Sequence, residues 1–395
     1  MQIDQIRQDT LGCHDKIFLN SAGASLMPKS VIQKQMEYLQ LEQEFGGYHV
    51  ASQQNTVLNE FYIEAAKLIN CKPQNIAFAT NATDAYAKAL SSIQFKPGDS
   101  IVTTDDDYIS NQIAFLSLQQ RLNLRIHRVK KLANNEIDLN DFLQLVKNHQ
   151  PKLVAVTHIP SNSGLIQNVE EIGEICKQNG ILYLVDACQS VGQLLVDTQK
   201  IACDFLTATG RKFLRGPRGT GFLYVSDRVL SQGLAPLLLD MSGARWTAPN
   251  AYELSDDAKR FEIWERSCAS VIGLTEAIRY ANNVGMANIE AYNINLSSQL
   301  REMLQRNSNL EVLDKGLKLA SIVTFHHHNV PLQALQEVLS KNNIYYSVSF
   351  KGGALIDFSE KNVDWAIRFS PHYFNKLEEM EAVTDLLSAD NFSSL

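Results

Sequence analysis

The sequence predicts an α/β protein with a large, mostly parallel sheet, followed by a small α+β unit. Between residues 75 and 226, short runs of branched and aromatic residues alternate with stretches whose apolar residues recur at helical spacing. After residue 245 the pattern changes to two long helical stretches and then to a short mixture of strands and helices. The first pattern is typical of an open sheet with helices on both faces, and the second of a smaller unit packed beside it.

The strand-like runs of the first part are NIAFAT (75–80), SIVTTD (100–105), KLVAVTH (152–158), ILYLVDA (181–187), DFLTATG (204–210) and GFLYVS (221–226). The later unit is expected to contain ASIVTF (320–325), YYSVSF (345–350) and AIRFSP (366–371) as strands, and helices over 331–343 and 376–389. A chain of 395 residues is long enough for two domains. We therefore expect an N-terminal arm (1–17), a large domain (18–284) and a small C-terminal domain (285–395).

Charge and hydropathy patterning favour a small-molecule substrate. The formal net charge of -7 disfavours nucleic acid as a partner, because phosphate backbones are bound by basic surfaces. No run reaches the ~18 apolar residues of a membrane helix, so no membrane partner is expected. The start, MQIDQIRQDTLGCHDK, has no basic region followed by an apolar stretch, which predicts a cytoplasmic protein.

Neither the cysteines nor the histidines predict a metal site. The six cysteines are scattered without a CxxC pair, so they form neither a disulfide framework nor a zinc site and are expected to be reduced. Three consecutive histidines, 326–328, follow the apolar run ASIVTF without companion ligands nearby. A solvated strand end is the preferred interpretation of this cluster, and a metal site is the alternative.

Lys212 is the first candidate for chemistry, in the segment TGRKFLRGPRGTGFL between two predicted strands. A lysine in such a turn is either a surface charge or a lysine that forms a Schiff base. Taken alone, the surface charge is the commoner case. The glycines at 216, 219 and 221 predict a tight turn that approaches other backbone closely, which a merely solvated lysine does not need.

Asp186 is the second candidate, because it closes the apolar strand ILYLVDA. A carboxylate at the end of a buried strand is costly unless it is paired, and a protonated pyridine nitrogen would supply such a pair. The alternative is that Asp186 caps the next helix. The segment NATDA, after another strand, predicts a helix start that could bind phosphate. His158 and Asn162 follow a further strand, with packing or capping roles as alternatives.

The order of these segments along the chain, more than any one of them, indicates a family. The sequence resembles the class V aminotransferase family of fold-type I pyridoxal 5'-phosphate (PLP) enzymes, from FLNSAGASLMP near residue 18 to AIRFSPHYFNKLEEME near residue 380. This family includes cysteine desulfurases, selenocysteine lyases, kynureninases and isopenicillin epimerase-like proteins. The resemblance implies a PLP-dependent enzyme that acts on an amino acid.

The resemblance also implies roles for residues of this chain. Lys212 would form the Schiff base with PLP and move the substrate's Cα proton, and Asp186 would pair with the pyridine nitrogen. Tyr108 in DDDYISN would stack on the ring, where the family has a histidine, and completes the catalytic set. The remaining expected cofactor contacts are Gln189 at the phenolic oxygen, Ala82, Thr83, Thr209 and Arg211 at the phosphate, and His158.

Substrate and partner residues follow from two further segments. IRFSPHYFN resembles the family's Arg-x-Ser segment, which implies that Arg368 binds the substrate α-carboxylate, helped by Asn162 and by the backbone near Ala22 and Gly23. RFEIWERSCAS resembles the loop that reaches a neighbouring subunit's phosphate in relatives. A homodimer is therefore expected, with Glu265, Arg266 or Ser267 as the candidates for that contact.

The type of reaction is less constrained than the cofactor. Desulfurases need a mobile cysteine before the Arg-x-Ser segment, and here that loop reads YYSVSFKGGALIDF. We therefore expect a carbon-sulfur β-lyase without a persulfide cysteine, with a transaminase or an amino-acid epimerase as alternatives. A nucleotide-binding α/β protein without PLP is disfavoured, because neither GxGxxG nor GxxxxGK[ST] follows the first strand of the predicted sheet.

Overall fold

The structure is a computed structural model that describes residues 1–387. The predicted helix over 376–389 and the predicted small domain both extend into residues 388–395, which lie outside the described residues. The strands are β1 (Ile17–Phe18), β2 (Ile76–Ala79), β3 (Ser100–Thr103), β4 (Arg125–Arg128), β5 (Leu153–Thr157), β6 (Leu182–Asp186), β7 (Phe205–Thr209), β8 (Gly221–Val225), β9 (Ala244–Ala248), β10 (Ala251–Leu254), β11 (Leu310–Val312), β12 (Val323–His327), β13 (Ile344–Tyr345), β14 (Ser347–Phe350) and β15 (Trp365–Phe369).

The helices cover both faces of the central sheet and one face of the smaller one. They are α1 (Ile3–Gln8), α2 (Lys29–Phe45), α3 (Gly47–Gln53), α4 (Asn55–Leu68), α5 (Ala82–Ser92), α6 (Ile109–Leu122), α7 (Leu139–His149), α8 (Val169–Gln178), α9 (Thr198–Ile201), α10 (Asp227–Ser231), α11 (Cys268–Val284), α12 (Met286–Gln305), α13 (Leu332–Lys341), α14 (Leu355–Glu360) and α15 (Leu377–Leu386). Within residues 1–387, no helix is long and apolar enough to cross a membrane.

The central sheet has seven strands in the order β2-β8-β7-β6-β5-β3-β4. Its strands are parallel except β8, which runs antiparallel to both β2 and β7. Every residue of β5, β6 and β7 is buried, as expected for strands with helices on both faces. The predicted α/β fold with a mostly parallel sheet is therefore confirmed.

Several strands were not predicted from the sequence: the short β1 and β11, the strand β4, and the hairpin formed by β9 and β10. Strand β4 and the hairpin formed by β9 and β10 have few buried side chains, so they lack the apolar runs that mark the other strands. The hairpin lies just before the long helices of the second half of the chain. The apolar runs that identify the predicted strands are therefore absent from β4 and from the hairpin of β9 and β10.

The small unit contains an antiparallel sheet in the order β11-β12-β15-β14, packed against α12, α13 and α15. The N-terminal segment joins this unit, because β1 pairs in parallel with β13 and Asn20 forms a bridge with Ser370. The hydroxyl of Ser347 also donates to the side chain of Asn20, at 2.7 Å. Residues 17–20 thus connect the small unit to the beginning of the large one.

Candidate active site

An open cavity lies beyond the carboxyl ends of β5, β6 and β7, the edge at which sheets of this kind bind ligands. Its lining comes from these strand ends, from the starts of α5 and α6, and from the loop after β7. The lining residues are Asn81, Ala82, Thr83, Tyr108, Asn111, Thr157, Ile159, Ser161, Asp186, Cys188, Gln189, Thr209, Arg211 and Lys212. Of the cofactor contacts predicted from the sequence, all except His158 belong to this set.

Lys212 is buried in the loop that follows β7, rather than exposed as a surface charge. This loop is held in place by neighbouring backbone. Gly192 has a φ of +94°, and a Cβ there would come within 2.4 Å of the Phe213 carbonyl carbon, so only glycine lets the two loops approach so closely. The ring of His372 also lies 2.8 Å from the Phe213 carbonyl oxygen.

The surroundings of Lys212 favour a neutral amine. Burial lowers the pKa of the Lys212 ammonium, the carboxylate of Asp186 opposes this shift, and the guanidinium of Arg211 adds to it. A neutral amine is the form of lysine that can attack a carbonyl carbon or accept a proton. Lys212 is therefore the group in this cavity that is best suited to form a Schiff base.

Asp186 ends β6 with its carboxylate buried, and both of its oxygens accept hydrogen bonds. One oxygen accepts from the backbone N–H of Cys188 and the other from the side-chain amide of Asn111, each at 3.0 Å. No helix follows directly, since the next residues form turns before α9. The alternative that Asp186 caps a helix is therefore wrong, and its carboxylate faces the cavity.

Gln189 contributes an unused polar atom. Its side-chain amide nitrogen donates to the carbonyl of Ala22 at 3.2 Å, while its Oε1 atom is buried and has no hydrogen-bond partner within residues 1–387. An unsatisfied buried amide oxygen is costly, so its presence in a cavity indicates a missing donor. A bound molecule with a hydroxyl group or N–H group near Gln189 would satisfy it.

The other end of the cavity has the features of an anion site. Ala82 and Thr83 are the first two residues of α5, where backbone N–H groups have no partners within the helix. Thr209 and Arg211 line the same cavity. The Arg211 guanidinium also donates to the carbonyl of Gly23, which fixes its position.

Tyr108 lies over the cavity at the N-terminal end of α6, with 40% of its surface exposed. The centre of its ring is 6.0 Å from the Lys212 nitrogen. An aromatic face at this distance from the lysine is placed where a planar ring attached to that lysine could stack.

Arg368, on β15, is a guanidinium without a carboxylate partner among the described residues. It donates to the carbonyl of Ser161 at 3.4 Å and to the hydroxyl of Ser347 at 3.1 Å, and its Nε atom is buried without a partner. Burial, together with the nearby Arg211, lowers its pKa to about 10. Glu379, an acidic residue of the same unit, pairs with Arg7 at 2.8 Å and not with Arg368.

The other predicted residues lie beside the cavity and not in its lining. His158 is buried, its Nδ1 atom has no partner, and burial lowers its pKa to about 4. The adjacent Thr157 occupies the lining position instead. Asn162 offers its backbone carbonyl to Thr324, at 3.1 Å. A cofactor contact of His158 and a substrate contact of Asn162 therefore stay predictions.

The loop predicted to reach a neighbouring subunit is engaged within its own chain. Arg266 pairs with the buried Glu262 at 2.9 Å and contacts the hydroxyl of Tyr62 at 3.0 Å. Ser267 caps α11 by accepting from the backbone of Ser270. Glu265 is exposed beside a surface groove. Of the three residues, Glu265 is the one without a hydrogen bond or ion pair within residues 1–387.

Sequence analysis missed several residues of this site. Asn111, Thr157 and Cys188 line the cavity, but each is a common residue type whose position depends on how the strands meet. No group of three or more metal-binding side chains occurs in the described part of the chain, the histidines 326–328 included.

A mostly parallel sheet whose carboxyl edge gathers a buried lysine, a buried aspartate and a helix N-terminus defines a fold-type I PLP enzyme. The sequence profile of the family "Aminotransferase class-V" matches residues 17–383, and the chain belongs to this family. The predicted resemblance is thereby confirmed, and PLP is the cofactor.

Three known proteins illustrate the similarity. A probable cysteine desulfurase of Methanothermobacter thermautotrophicus is 28% identical, over 98% of this chain and 98% of its own. The apo structure of the cysteine desulfurase from Thermococcus onnurineus NA1 has a TM-score of 0.91 and 26% identity, covering 99% of this chain and 98% of that one. The cystine C-S lyase C-DES, in a complex with its reaction product cysteine persulfide, has a TM-score of 0.85 and 21% identity, covering 96% and 99% of the two chains.

The residues present fit PLP on features of this structure. The unsatisfied Oε1 of Gln189, the buried carboxylate of Asp186 and the start of α5 match the hydroxyl, ring nitrogen and phosphate of the cofactor in chemical type. Lys212 supplies the amine. Each polar group of PLP thus has a partner of complementary chemistry in this one cavity.

Proposed function

We propose that this enzyme cleaves the carbon-sulfur bond of a cysteine-like amino acid without passing sulfur to a cysteine of its own. The observation that carries the proposal is that Cys188 is the one thiol lining the cavity within the described residues, and it is poorly suited to accept sulfur. Burial raises the pKa of Cys188 well above its usual value, and Asp186 adds to this shift. A protonated thiol is a weak nucleophile.

The sequence supports the same conclusion. The loop from residue 346 to residue 364 contains no cysteine, and it lies before the strand that carries Arg368. It forms β14 and α14 instead. A sulfur-accepting cysteine on that loop, which a desulfurase of the sulfur-donating type requires, is therefore lacking.

The residues of the cavity have distinct roles in this proposal. Bound PLP withdraws electrons from the substrate carbon atoms. Arg368 binds and orients the α-carboxylate, since its guanidinium is buried beside the cavity without a counter-ion. Lys212 would hold the cofactor and then accept the Cα proton at its amine nitrogen, and Tyr108, whose ring centre lies 6.0 Å from that nitrogen, would pack on the ring of PLP. Asp186 and Gln189 bind the ring nitrogen and hydroxyl, while Ala82, Thr83, Thr209 and Arg211 bind the phosphate.

The products identify the reaction. Purified holoenzyme would be incubated with cysteine, with cystine and with other amino acids, and alanine, pyruvate, ammonia and sulfide would be measured. We expect pyruvate and ammonia in equal amounts, with sulfur released to solution. Lys212→Ala is the control, which should fold but lose the borohydride-stable link to the cofactor. Formation of alanine in proportion to sulfide would contradict the proposal.

Cysteine desulfurase is the second candidate, because proteins similar to this chain carry that name. It requires a thiol that can approach the substrate, and Cys268 is the strongest candidate outside the cavity. This residue is half-buried at the start of α11, beside the groove that also contains Glu265. Alanine production that Cys268→Ser abolishes would establish this second candidate.

We also propose that the enzyme is a cytoplasmic homodimer. Large apolar side chains project from the surface: Leu238 is 87% exposed, Tyr48 82% and Trp246 80%. Exposed apolar surface of this kind is typical of an interface between subunits, and two-fold dimers are the commonest closed assembly. As domains we propose the divisions 1–17, 18–284 and 285–395, with β1 joining the small unit across the first boundary.

A further inference from the structure

Asp107 is a second buried carboxylate close to the cavity, and the roles proposed above do not use it. It follows β3 and precedes Tyr108, with 7% of its surface exposed. Its oxygens accept from the backbone N–H of Tyr108 at 2.7 Å and from the amide of Gln112 at 2.9 Å. The hydroxyl of Thr157 also donates to it. Burial, together with Asp186, raises the pKa of Asp107, and these partners oppose that shift, because every one of them is a donor that favours the ionised carboxylate.

Asn111 connects Asp107 to Asp186. Its side-chain nitrogen donates to an oxygen of Asp107 at 3.0 Å and to an oxygen of Asp186 at 3.0 Å. A primary amide has two N–H groups, and both are used here. If the amide turned over, its oxygen would face two carboxylates. The pair of acidic residues therefore fixes the amide with its nitrogen toward Asp186.

The arrangement also has an electrostatic consequence. Two carboxylates separated by one amide place two negative charges at the end of the cavity where the ring nitrogen of PLP would lie. Because both carboxylates are buried, their charges act over longer distances than they would in solvent.

We propose that Asp107 is a positioning residue that acts through Asn111, orienting the carboxylate of Asp186 and adding the negative charge that keeps the cofactor's ring nitrogen protonated. The inference rests on the proposed function only in the role given to Asp186, and it holds for a lyase and for a desulfurase alike. Removal of the charge from Asp107 frees Asn111 to turn over, so Asp186 loses both a hydrogen bond and a neighbouring charge.

The test measures the ring nitrogen directly. Wild-type protein and Asp107→Asn would be reconstituted with PLP labelled with ¹⁵N in the ring, and the ¹⁵N chemical shift followed over roughly pH 6 to 9 without substrate. We expect the wild-type nitrogen to stay protonated, and that of the variant to deprotonate at a pH lower by about one unit or more. Identical titrations would overturn the role of Asp107.

Two further variants separate this role from folding. Asp204→Asn removes another buried carboxylate of the large sheet, which binds Arg228 and the backbone of Tyr183 away from the cavity. It should lower the melting temperature without changing the ¹⁵N titration. Asn111→Leu removes the bridge and keeps Asp107. It should lower the pH at which the ring nitrogen deprotonates by less than Asp107→Asn does, and it provides the test if Asp107→Asn does not fold.

The failure of the proposed function gives a different result. A ring nitrogen that is neutral in the wild type over the whole range would contradict the role of Asp186, and with it the inference about Asp107. A protonated nitrogen in an enzyme that forms alanine would refute the lyase and leave the inference standing.

Discussion

Arg368 shows how a single residue can be placed for a ligand at the expense of the fold. Its guanidinium is partly buried, and its hydrogen-bond partners among the described residues are the oxygens of Ser161 and Ser347. A buried charge without a counter-ion destabilises the protein. An anionic ligand would remove this cost, so the residue is more useful to the complex than to the free enzyme.

We predict that Arg368→Gln weakens substrate binding and does not lower stability. The KM for the amino acid should rise by about tenfold or more, since a charge-assisted pair contributes roughly 1.5–3 kcal/mol. The melting temperature of the variant without substrate should be equal to that of the wild type or higher, because an unpaired charge has been removed. Arg301→Gln is the matched control, because Arg301 is buried in an ion pair with Asp314 and its loss should destabilise the protein. A KM that stays within twofold would contradict the assignment.

At the scale of elements, α14 packs near the end of β3 through a cluster of buried charges. Asp106 accepts from the hydroxyl of Ser163 at 2.8 Å, and Asp357 on α14 pairs with Lys361 at 2.7 Å. Asp106 and Asp357 each retain one buried oxygen without a partner. Burial, together with Asp357, raises the pKa of Asp106 to about 7, while Lys361 opposes the shift. This contact between the large sheet and the small unit should therefore depend on pH.

The raised pKa of Asp106 means that the folded protein holds a proton which the unfolded chain releases at lower pH. The stabilisation from that proton is complete below the ordinary value of 3.8 and is lost as the pH rises through about 7. Asp106→Asn should accordingly raise the melting temperature more at pH 8 than at pH 5, by about 2 °C or more. The exposed Asp364→Asn is the control and should show no such difference. Equal shifts at both pH values would contradict this assignment.

The site residues that could be predicted from the sequence are those that stand at the ends of predicted strands. Asp186 and Thr209 end apolar runs that had to lie side by side, so the sequence alone placed them at one edge of the sheet. Asn111 could not be found in this way, because it becomes part of the site only when α6 brings its amide between two carboxylates. The hairpin of β9 and β10 escaped prediction because its residues are mostly exposed. Strands with apolar runs could thus be predicted from the sequence. Contacts that form only when distant elements pack together could not.

At the scale of the whole molecule, the exposed apolar side chains predict an interface between two copies of the chain. Trp246 on the hairpin is 80% exposed. Trp246→Glu should place a charge in that interface and shift the protein from dimer to monomer in light scattering at micromolar concentration, with a loss of activity. Leu317→Glu is the control, because Leu317 is similarly exposed, at 81%, and this variant should stay dimeric. A wild-type protein that is monomeric and fully active would refute the dimer.

The pairing of the N-terminal segment with the small unit has a consequence for how the polypeptide is made. Leu19 and Asn20 leave the ribosome early, but their partners Ser370 and Ser347 follow 351 and 327 residues later. At about 5–20 residues per second, this segment waits roughly 20 to 70 seconds for them. Because the carbonyls of Ala22 and Gly23 position Gln189 and Arg211, a nascent chain lacks a finished cofactor site. We therefore expect PLP to bind after Ser347 and Ser370 have been synthesised and have paired with residues 19 and 20.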